Sequence, residues 1–133
     1  MLHNKDPKTN RAPAEKFIGE VFYDVIAGTN ADDTRLRAWI VRFSPCARTN
    51  WHTHALGQTL YITQGVGRVQ ERGGEVVEVR PGDSIYTAPG VWHWHGAAPD
   101  QMMEHIAMWE ALPPGSPAET TWGEPVIDAE YNG

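Results

Sequence analysis

Short segments of alternating apolar and polar residues, separated by glycine and proline, constrain the fold of this chain more than any other feature. Thirteen glycines and ten prolines are spread over 133 residues. The runs LRAWIVRF (36 to 43) and QTLYITQG (58 to 65) each alternate with the period of two that is typical of a half-buried strand. No segment of useful length has a helical period. The pattern predicts an all-β domain of about eight to ten short strands.

The same alternation and turn residues divide the rest of the chain into predicted strands and breaks. Further strands are predicted over 17–26, 81–90, 91–98 and 103–112. The segment 67–79 resembles a hairpin that turns at Arg72-Gly73-Gly74, and GTNADDT (28 to 34) is a turn-rich break. We expect a mobile or loosely packed arm over 1–14, a β-barrel over 15–112, and a C-terminal extension over 113–133 that packs on the barrel. The stretch IDAEY in that extension predicts a short helical turn.

Composition excludes several functions. The formal net charge of −6 and the lack of a basic run argue against nucleic acid or an anionic membrane as the main partner. No apolar run approaches the roughly 18 residues of a membrane-spanning helix. The single cysteine, Cys46, rules out an internal disulfide. The polar start MLHNKDPKTN has no apolar core of a secretory signal, so we expect a cytoplasmic protein.

Five of the six histidines lie in three of the strand-like segments. They are His52 and His54, His93 and His95, and His105. Because side chains alternate along a strand, each His-x-His pair points to one face. Buried neutral imidazoles need partners, and a divalent metal supplies one partner to several of them together. The sixth, His3, lies in the polar arm and is interpreted as an ordinary surface residue.

The spacing around these pairs resembles the two motifs of the cupin superfamily, G-x5-H-x-H-x3,4-E-x6-G and G-x5-P-x-G-x2-H-x3-N. The likeness covers residues 46–97, from Cys46 through WHTHALGQ to GDSIYTAPGVWHWHGA. The chain departs from the motifs at four places: Cys46 replaces the first glycine, Gln58 the glutamate and Ala97 the asparagine, and the proline is displaced to Pro89.

The resemblance implies a double-stranded β-helix, or jelly-roll, with one divalent transition metal inside. Carried over by position, the ligands are His52, His54, Gln58 and His93. Manganese is the first candidate, with Fe, Ni, Co, Cu and Zn as alternatives. Without the motif, Gln58 would be interpreted as a structural glutamine at the start of a strand. As a neutral ligand it leaves the full charge of the ion in place, which favours Lewis-acid chemistry over reactions that need an oxidised metal.

The histidine and glutamine pattern also resembles a narrower group of small bacterial manganese cupins that includes hydroxynitrile lyases. That resemblance implies cleavage or synthesis of cyanohydrins, with His105 as the proton acceptor and His95 as a second group for the leaving cyanide. The alternatives are that His95 only supports His93 and that His105 is a buried strand histidine bonded to a carbonyl. The inward register predicts a pocket wall made of Trp39, Val41, Leu60, Ile62 and Trp109.

Two other functions remain open at this point. A metal-dependent dioxygenase would use the same residues, and a small cupin that binds or senses a ligand without catalysis would keep the barrel but not the chemistry. We expect a small-molecule substrate in either enzymatic case. Trp51, Trp92 and Trp94 alternate with the histidines, so they should face away from the metal. Their burial against another sheet or a second subunit predicts a homodimer or a higher homo-oligomer.

Overall fold

The computed structural model describes residues 1–28 and 34–133. Most of the turn-rich break predicted over 28–34 lies outside these described residues. In chain order, the strands are β1 (Thr9–Arg11), β2 (Phe17–Ile18), β3 (Val21–Ala27), β4 (Leu36–Phe43), β5 (Arg48–Thr49), β6 (His52–His54), β7 (Gln58–Gly65), β8 (Gly67–Glu71), β9 (Val77–Val79), β10 (Ser84–Thr87), β11 (His93–Ala97), β12 (Met103–Glu110) and β13 (Thr120–Trp122). A short helix, α1, follows over Asp128–Asn132.

Two antiparallel sheets form the barrel. The first has the strand order β1-β3-β4-β12-β7-β10, and the second has the order β13-β6-β11-β5-β2, with β8 paired to β11 and β9 paired to β8. The longest pairings are those of β12 with β4 and with β7, which hold the centre of the six-stranded sheet. The fold is the predicted all-β jelly-roll barrel.

The core lies between the inward faces of the two sheets. Buried side chains from both sheets meet there, among them Val21, Val41, Phe43, Ile62 and Met103. Each alternates with an outward residue along its strand, which is the pattern that the sequence shows for 36–43 and 58–65. Burial of this apolar surface stabilises the barrel without a disulfide, as expected for a chain of this length.

The predicted single strand over 17–26 is two strands in the structure. Gly19 has φ +79°, a conformation that glycine adopts without the penalty of a Cβ atom, and it ends β2 before β3 begins. A Cβ atom at this position would also lie 3.0 Å from the Cβ atom of Ala47. The glycine therefore lets the chain cross from the seven-stranded sheet to the six-stranded sheet within two residues.

The described residues form thirteen strands, more than the eight to ten that the sequence predicts. The additional strands β1, β2, β5 and β13 contain only two or three residues. Segments this short give no periodic signal and are defined by the backbone pairs that they form with neighbouring strands. Strand β1 is an example, since it lies within the predicted arm and pairs with β3.

The C-terminal extension covers one outer face of the seven-stranded sheet. Trp51 and Trp94 pack there with Val126 and Tyr131 in a second apolar cluster. Arg48, which is almost fully buried, donates hydrogen bonds to the carbonyl oxygen of Val126 through Nε (3.0 Å) and Nη2 (2.7 Å). The predicted burial of these tryptophans is therefore achieved within one chain, by its own C-terminal residues.

Candidate metal centre

Strands β6 and β11 bring four of the histidines to one place inside the barrel. The two strands pair at His52 and His93, so that both His-x-His segments turn the same face to the interior. His52, His54, His93 and His95 are each less than 5% exposed. Strand alternation, as predicted, gives these side chains a common face.

Gln58 reaches the same place because of a tight turn. Gly57, which precedes it, has φ +82°, and a Cβ atom there would lie 2.8 Å from the carbonyl oxygen of Thr87. Only glycine fits this position without moving the backbone of β10. The turn reverses the chain after His54, and Gln58 becomes the first residue of β7, with its side chain beside His93.

The hydrogen bonds of two histidines fix their tautomers. Nδ1 of His52 lies 3.0 Å from the carbonyl oxygen of Asn50, and Nδ1 of His93 lies 3.0 Å from that of Val91. A carbonyl oxygen only accepts, so each Nδ1 carries the proton and each Nε2 keeps its lone pair. Nε2 of His93 then faces Oε1 of Gln58, another acceptor, at 3.0 Å. Two acceptors at this distance are both satisfied when a cation lies beside them.

His54 completes this part of the site. Its Nδ1 lies 3.2 Å from Oγ1 of Thr120, and its Nε2 is buried with no hydrogen-bond partner among the described residues. The ring centroid of His54 is 5.2 Å from that of His52 and 5.8 Å from that of His93. A buried polar atom without a partner is rare in native proteins and indicates a missing ligand.

His52, His93 and His95 form one close group of donors, whose ligand atoms all lie within 4.8 Å of one another. Neutral imidazoles are common ligands of divalent transition metals, and a buried cluster of three in this fold indicates a metal-binding site. The residues present therefore fit the group that the sequence predicts. Two of the three belong to the predicted ligand set, and His95 is the predicted neighbour.

His95, a member of this cluster, also pairs with His105. Nε2 of His105 lies 2.9 Å from Nδ1 of His95, so one ring donates to the other. The remaining nitrogens, Nε2 of His95 and Nδ1 of His105, are buried without hydrogen-bond partners among the described residues. The edge of Phe43 contacts both rings. The ring of His105 is thus bonded to another histidine, whereas the alternative interpretation expects a bond to a carbonyl.

Burial keeps all five imidazoles neutral. It lowers the pKa of His54 to about 3 and that of His105 to about 3. The pKa of His52 is lowered well below its ordinary value by burial and by the neighbouring His93 and His54. The pKa values of His93 and His95 are lowered mainly by burial too. Neutral rings retain the lone pairs that a cation needs.

A cavity of about 470 Å³ opens beside these donors. His52, His54, Gln58 and His95 line it, together with five aromatic residues: Phe17, Tyr23, Trp39, Trp109 and Trp122. Three of the predicted wall residues, Trp39, Val41 and Trp109, line it; the other two do not. Leu60 lines a smaller cavity of about 40 Å³ with His93 and His95, and Ile62 is fully buried in the core.

Several residues of the site have no counterpart in the sequence-based prediction. Thr120 and Trp122 come from β13, which pairs with β6, and Trp122 stacks on His52 with ring centroids 4.8 Å apart. Glu119 accepts a hydrogen bond from Nε1 of Trp109 (3.0 Å). Phe17 and Tyr23 add to the aromatic wall. The tail has no alternation or motif that would reveal these contacts.

Comparison with known proteins identifies the fold and the family. Residues 39–109 match the cupin domain family. The chain is 45% identical over 124 residues to an (R)-mandelonitrile lyase from Granulicella tundricola, covering 92% of this chain and 91% of that protein. The chain belongs to the cupin family.

Solved cupin structures support this assignment. A cupin-like protein from Thermotoga maritima superposes with a TM-score of 0.86 at 32% identity, over 98% of this cupin and 96% of that chain. A predicted oxalate decarboxylase from the same organism superposes with a TM-score of 0.72 at 20% identity, over 84% of this cupin and 99% of that chain, and shares the fold.

Among the described residues, no helix is long and apolar enough to cross a membrane.

Proposed function

We propose that this cupin is a metal-dependent lyase that cleaves or forms cyanohydrins. The observation that carries the proposal is the cavity of about 470 Å³ that three of the proposed ligands, His52, His54 and Gln58, line together with five aromatic side chains. A site of this kind has room for a small carbonyl compound at the donors, whereas a ligand-sensing barrel needs no such arrangement of lone pairs. The 45% identity to a mandelonitrile lyase supports the same reaction class.

His52, His54, Gln58 and His93 are the proposed ligands of one divalent ion, with manganese as the first candidate. Three imidazoles and an amide oxygen are a neutral set of donors that suits several divalent ions. When bound, the ion supplies a Lewis acid that lowers the pKa of a substrate hydroxyl. The aromatic side chains of the cavity exclude water from the donors and hold the apolar part of the substrate.

The pair His95–His105 is the proposed proton acceptor. His95 lines the cavity and its Nε2 is buried without a partner among the described residues, while His105, bonded to its Nδ1, does not line the cavity. His95 would take the hydroxyl proton at Nε2, a role that the resemblance gives to His105, because His95 lines the cavity and His105 does not. His105 would accept the hydrogen bond from Nδ1 of His95. The carbon–carbon bond to the nitrile then breaks with its electron pair going to cyanide, and the aldehyde carbonyl forms. Because burial lowers both pKa values, the proton passes readily to the cyanide.

The test is cleavage of mandelonitrile by protein stripped with a chelator and reloaded with Mn²⁺. We expect benzaldehyde to form with the reloaded protein only. Oxygen uptake is followed in the same assay with an enol or diketone substrate, because a dioxygenase would consume O₂. Reloaded protein that binds Mn²⁺ but cleaves neither aromatic nor aliphatic cyanohydrins would contradict the lyase assignment.

Two further predictions have their own tests. Cell fractionation tests the cytoplasmic location, and light scattering tests the homodimer.

A further inference from the structure

The C-terminal extension contacts the predicted ligands directly. Strand β13 pairs antiparallel with β6, and the register places Thr120 opposite His54 and Trp122 opposite His52. Paired residues in an antiparallel sheet share a face, so both side chains point into the site. The intervening Thr121 pairs with Thr53 and is exposed.

Thr120 is the one residue among these whose chemistry affects a metal donor. Its Oγ1 lies 3.2 Å from Nδ1 of His54, while Nε2 of the same ring is buried with no partner. His52 and His93 differ from His54, because their Nδ1 atoms face carbonyl oxygens, which only accept. A hydroxyl both accepts and donates, so the tautomer of His54 depends on which way the Thr120 hydroxyl points.

The two tautomers have different consequences. If the hydroxyl donates to Nδ1, the proton of His54 is on Nε2, where it is buried without an acceptor and blocks a metal. If Nδ1–H donates to the hydroxyl, the buried Nε2 keeps a lone pair that a metal ion can use. Metal-bound histidines commonly donate their other N–H to an oxygen in this way, and loss of such a partner costs about 10- to 100-fold in metal affinity.

We propose that Thr120 is a positioning residue that holds His54 in its metal-binding tautomer. The inference rests on the proposed metal site and adds to it a residue of the C-terminal extension. The C-terminal extension is then part of the site. The donor atom of His54 depends on the orientation of the hydroxyl hydrogen of Thr120.

The experiment compares Thr120→Val, Thr120→Ser and Thr121→Val with the wild-type protein. Valine keeps the shape and the strand propensity of threonine but removes the hydroxyl, serine restores the hydroxyl, and Thr121→Val makes the same change on the opposite face of β13. Mn²⁺ affinity is measured by calorimetry on chelator-treated protein. The imidazole ¹⁵N shifts of His54 are recorded on metal-free and Zn²⁺-loaded protein, because they distinguish the two tautomers.

We expect Thr120→Val to weaken Mn²⁺ binding about 10- to 100-fold and to raise the fraction of His54 with its proton on Nε2. Thr120→Ser and Thr121→Val should stay within about twofold of the wild type. Unchanged affinity and unchanged ¹⁵N shifts in Thr120→Val would overturn the inference and leave the proposed metal site intact. Equal loss in Thr121→Val would also overturn it, since the effect would then come from the strand. A wild-type protein that binds no Mn²⁺ would overturn the proposed function instead.

Discussion

The two sheets contribute different things to the site. The seven-stranded sheet supplies four histidines from β6 and β11, together with Thr120 and Trp122 of β13. The six-stranded sheet supplies the wall residues Tyr23, Trp39, Val41 and Trp109, and the two groups Gln58 and His105 beside the other donors. One sheet therefore provides most of the donors and the other mainly the shape of the cavity. The comparison implies that substitutions in the two sheets should separate metal binding from substrate choice.

His93→Ala should have the largest effect, because it removes a donor and leaves Oε1 of Gln58 without a neighbour. We expect Mn²⁺ affinity to fall by more than about 100-fold, beyond the loss that follows removal of a ligand's hydrogen-bond partner, and cyanohydrin cleavage to fall to background. Elemental analysis and the benzaldehyde assay measure the two effects. Full metal content in this variant would contradict the assignment of the metal donors to the seven-stranded sheet.

His105→Ala tests the polar group that β12 of the six-stranded sheet contributes beside the donors. Removal of His105 leaves Nδ1 of His95 without its partner, so proton transfer should suffer while the metal remains. General acid–base groups contribute about 10²- to 10⁴-fold in rate, and we expect turnover on mandelonitrile to fall within that range. Unchanged turnover would exclude the His95–His105 pair from the reaction.

Trp39→Phe alters the wall alone. The ring of Trp39 stacks on Tyr23 with centroids 4.3 Å apart and meets Trp109 edge-on at 5.1 Å. Phenylalanine retains an aromatic contact but frees volume in the cavity, so the preference for mandelonitrile over a small aliphatic cyanohydrin should rise by about tenfold. The ratio of kcat/KM values for the two substrates measures this. A fall in metal content instead would show that the wall also holds the donors in place.

Acid should destabilise the metal-free protein through its buried histidines. The five buried histidines have pKa values below their ordinary value in the folded protein, so the unfolded chain binds more protons below about pH 6.5. Their contribution to stability is present above that pH and is lost as the pH falls toward about 3, the pKa of His54 and His105. Between about pH 6.5 and about pH 3, His54 and His105 each contribute a slope of about 1.4 kcal/mol per pH unit.

Urea unfolding of the metal-free protein between pH 7 and pH 4 measures this slope. Replacing His105 by phenylalanine, which cannot take up a proton, should reduce it by the share of one histidine. A free energy of unfolding that does not change across this range would mean that the imidazoles are not held neutral by burial.

The long strands and the donor positions could be predicted from the sequence because each has a local pattern. Strands β4 and β7 match the predicted ranges residue for residue, and alternation alone places His52 beside His54 and His93 beside His95. The break at Gly19 and the short strands could not be predicted in this way, because they depend on neighbours distant in the chain. The same holds for Thr120, whose role follows from the pairing of β13 with β6, sixty-six residues away from His54.

The place of His95 differs between the sequence-based prediction and the structure. The structure brings the donor atoms of His95 close to those of His52 and His93. The resemblance to cupins instead completes the ligand set with His54 and Gln58. The bond between His95 and His105 gives His95 a second role that the other histidines lack. The identity of the ligands is thus the central claim on which the lyase proposal and the role of Thr120 both depend.

Anomalous diffraction from crystals of the Mn²⁺-loaded protein tests this claim most directly. The account predicts one manganese ion, bound by Nε2 of His52, His54 and His93 and by Oε1 of Gln58, with His95 outside the coordination sphere. An ion bound by His52, His93 and His95 without Gln58, or no ion in the barrel at all, would contradict it.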